Sequence, residues 1–213
     1  MIPQALKARA MLLLGPTGVG KSPLGECLGQ RGINGSRCLH FDFGHRLRHL
    51  AGHTSPPVDF HVNDLLFIRK VLAEGLLLEK EHFSLAEKIF RSFLHQKSFC
   101  ENDILVLNGL PRHAAQAEDM EKLADIQTLV ILECTAEDVQ KRIGGNVGKD
   151  RTDRVDDSIE MIRKKLGIFE RRTAPLVDFY SNRGRRLCRI KVTAASTPED
   201  IYKDFLTMSA LVR

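Results

Sequence analysis

The sequence predicts a three-layer α/β/α fold built on a five-stranded parallel sheet. Three observations carry that expectation. Five short apolar runs are spread along the 213 residues. Each gives way to polar or Gly-rich residues and then to helical periodicity, and the first leads straight into a glycine-rich loop. The runs are Ala10–Leu14, Arg37–Phe41, Asp103–Leu107, Thr128–Glu133 and Leu187–Val192.

Each element has its own local reason. The loop after the first run leads into a helix whose first turn holds Pro23, tolerated there because first-turn N–H groups have no partner within the helix. Residues 44–100, between the second and third runs, carry two helical patterns (Leu65, Leu66, Ile68, Val71, Leu72; then Phe83, Leu85, Ala86, Ile89, Phe90, Phe93, Leu94). An all-helical insertion is therefore expected, since a structureless loop of that length is improbable in a domain. Thr135-Ala-Glu-Asp138 reads as a capping box. Gly144, Gly145 and Gly148 mark an irregular segment, and Asp156 to about Phe179 reads as a long amphipathic helix interrupted near Pro175. Thr197-Pro198-Glu-Asp200 starts a last helix with Pro at its first position.

Composition excludes several classes. The net charge is +5, but residues 141–191 hold 15 Lys/Arg against 7 Asp/Glu while the remainder is net negative. One stretch is built to face anions. No apolar run is long enough for a membrane span, and no secretory leader is expected, which points to the cytoplasm. Five widely spaced cysteines without a Cys-x-x-Cys argue for free thiols and no structural zinc. Aromatic residues are sparse in the basic stretch, so no nucleic-acid stacking platform is expected.

The strongest local signal is Gly15-Pro-Thr17-Gly18-Val19-Gly20-Lys21-Ser22, which matches G-x-x-x-x-G-K-[ST] between a strand and a helix. Glycines let successive N–H groups turn toward one centre, and the helix terminus adds partial positive charge. Lys21 reaches outer phosphates, and Ser22 offers a hydroxyl to Mg²⁺. This is a nucleoside triphosphate site. It does not say whether water, a hydroxyl or a second phosphate receives the phosphoryl group.

The other motifs bear on that choice. Asp42-Phe43-Gly44 to Arg48 follows the second strand, and Asn108-Gly109-Leu110-Pro111-Arg112 with Gln116 follows the third. Glu74-Gly75-Leu76-Leu77, Arg142, Arg154-Val-Asp156-Asp157 and Lys165 come in order around them. Together these motifs resemble the adenylate kinase and nucleoside monophosphate kinase family over almost the whole chain. The resemblance implies a single P-loop kinase domain over 1–213, with 44–100 as the acceptor-binding insertion and 143–155 as a short lid. It implies that Gly44, Arg48, Gly75, Leu77, Gly109, Arg112, Gln116, Arg154 and Lys165 serve the acceptor. Gly15 through Ser22 and Arg142 would serve ATP, with Lys21, Arg112, Arg142, Arg154 and Lys165 as the catalytic cations. The implied reaction is ATP + AMP = 2 ADP, by a monomer acting on small nucleotides.

Several positions depart from the family pattern. Asn108 stands where the family has an Asp, Asn146 and Lys165 where it has Arg, and Phe43 where it has Thr. Lys149 and Arg151 share the lid segment as replacement cations. Two other readings stay open: a hydroxyl-acceptor kinase with Asp42 as base, or an adenylate-kinase-like nucleotide-binding protein with weak or no catalysis. Beside its two carboxylates, Arg154 also suits a helix-start ion pair. The Arg183-Gly-Arg185-Arg186 cluster reads as a solvated turn.

Overall fold

The computed structural model describes residues 7–149 and 159–210. The strands are β1 (Ala8–Leu14), β2 (Cys38–Asp42), β3 (Ile104–Asn108), β4 (Ala124–Glu133) and β5 (Arg186–Lys191). They form one parallel sheet in the order β2-β3-β1-β4-β5. The helices are α1 (Lys21–Arg31), α2 (Phe43–Ala51), α3 (Val62–Glu74), α4 (Phe83–Gln96) and α5 (Ala114–Met120), then α6 (Ala136–Gly144), α7 (Ile159–Ile168), α8 (Leu176–Ser181) and α9 (Pro198–Ala210). Among the described residues no helix is long and apolar enough to cross a membrane.

Both faces of the sheet are apolar, as parallel strands require. Met11, Leu13, Val106, Val130, Leu132 and Ile190 pack under α1 and α9. Leu12, Leu14, Phe41, Leu105, Leu107, Leu129 and Ile131 form the opposite core, together with the helical insertion. That insertion comprises α2, α3 and α4, with a short 3₁₀ turn at Lys80–His82. The α4 helix anchors it. Phe90 and Phe93 meet Phe41 of β2 at ring-centroid distances of 5.3 and 5.1 Å. Each such buried ring contributes roughly 2–3 kcal/mol.

Strand β4 starts at Ala124, four residues before the expected Thr128. β5 joins β4 only at Thr128, so Asp125 lies in a part paired on one side only, and Gln127 is skipped by the β1 register at a bulge between Ile126 and Thr128. Arg37 and Asp103, expected inside strands, instead sit just before them. The Arg37 Nε and Nη2 atoms donate to the two oxygens of buried Asp103 at 2.8 and 2.6 Å, pinning the β2 and β3 entries together.

Both expected caps form: Thr135 accepts from the Asp138 N–H at 3.1 Å, and Thr197 from that of Asp200 at 3.2 Å. The long helix divides into α7, a wide turn at Phe169–Thr173 and α8. Its expected start at Asp156 lies outside the described residues.

His40 of β2 fills a notch in α1 left by Gly25, where a β-carbon would overlap the imidazole ring. Burial lowers the His40 pKa against the pull of Asp42. A proton that the unfolded chain accepts near pH 6.5 is thus refused by the folded one, so stability is complete above that pH and declines below it. Urea unfolding between about pH 7.5 and 5 should show this slope, and His40→Leu should flatten it. The remainder belongs to His49, also lowered by burial and by neighbouring His53, Arg46 and His45.

Candidate active site

The loop Gly15–Gly20 joins β1 to α1 and wraps one end of a cleft. Gly15 has φ 146°, and a β-carbon there would lie 2.6 Å from the Leu132 carbonyl oxygen. Gly20, with φ 113°, caps α1 without a side-chain hydrogen bond. Thr17, Gly18, Lys21 and Ser22 line the cleft. Val19 does not: it is fully buried in the α1-facing core. Lys21 Nζ donates to the carbonyls of Gly15 and Pro16, each at 2.7 Å.

Because β2, β3 and β1 are neighbours, Asp42 and Asn108 end opposite each other, with Asn108 opposite Leu13. Ser22 Oγ donates to Asp42 Oδ2 at 2.5 Å. Asn108 Nδ2 donates to the same Asp42 oxygen at 2.9 Å and to Ser22 Oγ at 3.0 Å. Asp42 Oδ1 accepts from the His45 N–H at 2.8 Å and so caps α2. Burial raises the Asp42 pKa, but hydrogen bonds from Ser22 and the His45 N–H, with the charge of Arg48, outweigh it and hold the carboxyl below the usual range.

Arg48, Arg112 and Lys165 line the same cleft, over an apolar wall that includes Leu47, Leu72 and Leu77. Gly44 lies against Arg48, where a β-carbon would sit 3.4 Å from the guanidinium; one on Gly109 would sit 3.9 Å from Arg112 Nε. The root of Arg112 is clamped. Gln116 Oε1 accepts from its N–H at 2.8 Å, and Thr173 Oγ1 donates to its carbonyl at 2.9 Å. Gln116 is 1% exposed, and its Nε2 donates to the Leu78 carbonyl at 2.8 Å. Two fixed partners set the orientation of this amide and leave one N–H and one oxygen lone pair for other use.

The segment bearing Lys165 is strapped to the insertion. Gly75 ends α3, and a β-carbon there would meet Met161 Sδ at 2.5 Å. Lys164 Nζ donates to the Glu74 carbonyl, and Arg172 pairs with Glu79 through two hydrogen bonds of 3.0 and 2.8 Å. Thr173 of this segment is buried, and Arg185, in the turn before β5, pairs with Asp125 at 3.0 Å. Thr173 and Leu78 are site-building residues with no motif signal, because their contacts span distant parts of the chain. Arg154, Arg151 and lid residues 150–155 lie outside the described residues. Asn146 and Lys149 lie in the turn after α6, both with positive φ.

Arg142 sits apart from the other expected site cations. It is 2% exposed and lies behind the glycine-rich loop rather than on the cleft wall. Its guanidinium donates to the Gly18 carbonyl at 3.3 Å and to those of Thr193 and Ser196 at 2.8 and 2.5 Å. One buried charge thus ties the loop to the segment after β5.

No family model matches the chain. An adenylate kinase of Thermus thermophilus is 28% identical over 203 residues, 91% of this chain and 93% of that protein. One from Prochlorococcus marinus is 26% identical over 185 residues, 84% and 86%. A probable UMP-CMP kinase 1 of Arabidopsis thaliana is 26% identical over 139 residues, 64% of this chain and 61% of that protein. Over most of its length the chain is thus similar in sequence to adenylate kinases. In fold it is similar to a gluconokinase from Sinorhizobium meliloti (TM-score 0.55, 16% identity, 96% of this chain and 93% of that one) and a shikimate kinase from Bacteroides thetaiotaomicron (TM-score 0.52, 15% identity, 96% and 98%). Among the described residues, four cations and one carboxylate line a cleft at the carboxyl ends of the strands, where such sheets bind ligands.

Replacing Arg142 with Met should leave three carbonyls without this partner, at a cost of about 3 kcal/mol in urea unfolding. An unchanged unfolding midpoint would show that these hydrogen bonds contribute nothing to stability.

Proposed function

We propose that the protein is a nucleoside monophosphate kinase that moves the γ-phosphoryl group of ATP to AMP. One observation carries this: Lys21, Arg48, Arg112 and Lys165 line one continuous cleft, with the glycine-rich loop at one end and an apolar wall at the other. Two nucleotides meeting end to end bring several negative charges together, and four cations suit that load. Such a transfer needs little proton chemistry, so positioning and charge stabilisation supply the rate.

Each group has a task. Lys21 and the loop N–H groups hold the donor's outer phosphates. Arg48 and Arg112 grip the acceptor's phosphate, the planar fork matching its oxygens. Lys165 brings charge to the transferring group, and Arg154 does so from the lid. The spare N–H and lone pair of Gln116 match the donor-and-acceptor edge of adenine, which favours AMP. Residues 44–100 act as the acceptor lobe and 143–155 as the lid, in a cytoplasmic monomer working on small nucleotides.

The hydroxyl of Ser22 and the carboxylate of Asp42 form an oxygen set that suits Mg²⁺. When bound with ATP, this ion neutralises phosphate charge. Asp42 is poorly placed to act as a base for a hydroxyl acceptor, since it already accepts three hydrogen bonds.

A coupled ADP-formation assay across AMP, CMP, UMP, GMP and dTMP tests the proposal. Turnover should be stimulated most by AMP; no AMP-stimulated turnover at millimolar acceptor would overturn it. Nucleotide binding without transfer would leave a binding module only. Arg112→Lys should lower kcat/KM for the acceptor about a hundredfold, or roughly 2.7 kcal/mol, because the charge remains and the fork is lost.

A further inference from the structure

Among the described residues lining the cleft, Asp42 is the one carboxylate, set against four cations. An anion in a cleft that receives polyphosphate opposes binding unless it serves another positive group. The groups around it indicate which. The single proton of the Ser22 hydroxyl is directed to Asp42 Oδ2, and Asn108 Nδ2 donates to one Ser22 lone pair. By count, one lone pair of that hydroxyl and one on Asp42 Oδ1 remain.

Asn108 cannot take over the carboxylate's part in this arrangement. Its Nδ2 must face Asp42, because an ionised carboxylate only accepts hydrogen bonds, so its amide oxygen is turned away from the triangle. A second carboxylate at 108 would stand against the first across a spacing now bridged by a 2.9 Å hydrogen bond. The neutral amide and the Asp42 charge are therefore a matched pair.

We propose that Asp42 is the positioning carboxylate for the divalent cation of a bound nucleoside triphosphate, holding the Ser22 hydroxyl so that its remaining lone pair meets the cation. This rests on the reading of the cleft as a triphosphate site. It places the anionic partner of the cation on β2, with β3 supplying the neutral member that fixes it. Hard oxygen donors of this kind suit Mg²⁺ or Mn²⁺, and residues that orient such ligands commonly govern metal affinity by about 10- to 100-fold.

Asp42→Asn tests this cleanly, since Asn caps a helix about as well as Asp and α2 keeps its start. The probe is the β,γ-imido analogue of ATP, titrated calorimetrically with Mg²⁺ and with EDTA, alongside Mn²⁺ affinity by electron paramagnetic resonance in the analogue complex. Asp42→Asn should cut the Mg²⁺-dependent gain in analogue affinity, and the Mn²⁺ affinity, about tenfold or more. Affinity in EDTA should hold or rise, because a negative charge has left the cleft. The exchange variant, Asp42→Asn with Asn108→Asp, returns one carboxylate to the same triangle and should recover most of the cation dependence.

Three results would overturn the proposal. An Asp42→Asn protein with the full Mg²⁺ gain would show that the carboxylate does not serve the cation. An exchange variant that folds and recovers nothing would tie Asp42 to some other task. Wild-type protein that binds the analogue neither with Mg²⁺ nor with EDTA would remove the triphosphate reading, and this inference with it.

Discussion

The parallel pairing of β2, β3 and β1 is the constraint on which the cleft depends. It sets the carboxyl ends of three strands side by side, although their sequences lie far apart. Asp42 faces Asn108, Asn108 faces Leu13, and the glycine-rich loop begins two residues beyond Leu13. A shift of one residue in either pairing would turn alternate side chains to the opposite face. The Ser22–Asp42–Asn108 triangle would then not close. The polar geometry of the site is thus inherited from hydrogen bonds between apolar strands.

Burial makes that geometry rigid at some cost in desolvated polar groups. Phe41, Phe90 and Phe93 fix the helical insertion against the sheet edge, so Arg48 approaches from a settled direction. Buried Gln116 and Arg142 spend their hydrogen bonds on main-chain groups. Each converts a loop into a fixed surface: Gln116 holds the root of Arg112, and Arg142 holds the back of the phosphate loop. Paired in this way, the amide and the guanidinium avoid the penalty of an unsatisfied buried group.

Much of this was legible in the sequence, because it rests on local rules. Strand runs, capping boxes and the glycine-rich loop depend on neighbours a few residues away. Asp125 and Gln127 break the apolar run that marks β4, and they are tolerated because β5 arrives late and the β1 register skips Gln127. No local pattern shows that three carbonyls from two distant loops draw Arg142 inward. Thr173 carries no motif and acquires its role by reaching the Arg112 carbonyl across the chain. Asp42 was recognised as chemically active, but its link to Ser22 and Asn108 needed the strand order.

The wide turn at Phe169–Thr173 closes with the Ala174 N–H on the Phe169 carbonyl, a span of five residues rather than four. In a regular helix a side chain drifts around the axis by about 40° every four residues. Lys165, Phe169 and Thr173 would then wander off one line; the extra residue takes up that drift, and all three border the cleft. The turn works as a phase corrector. It keeps a cation, an aromatic wall and a clamp in step along a single rod, and a one-residue insertion or deletion in this segment would throw them out of phase.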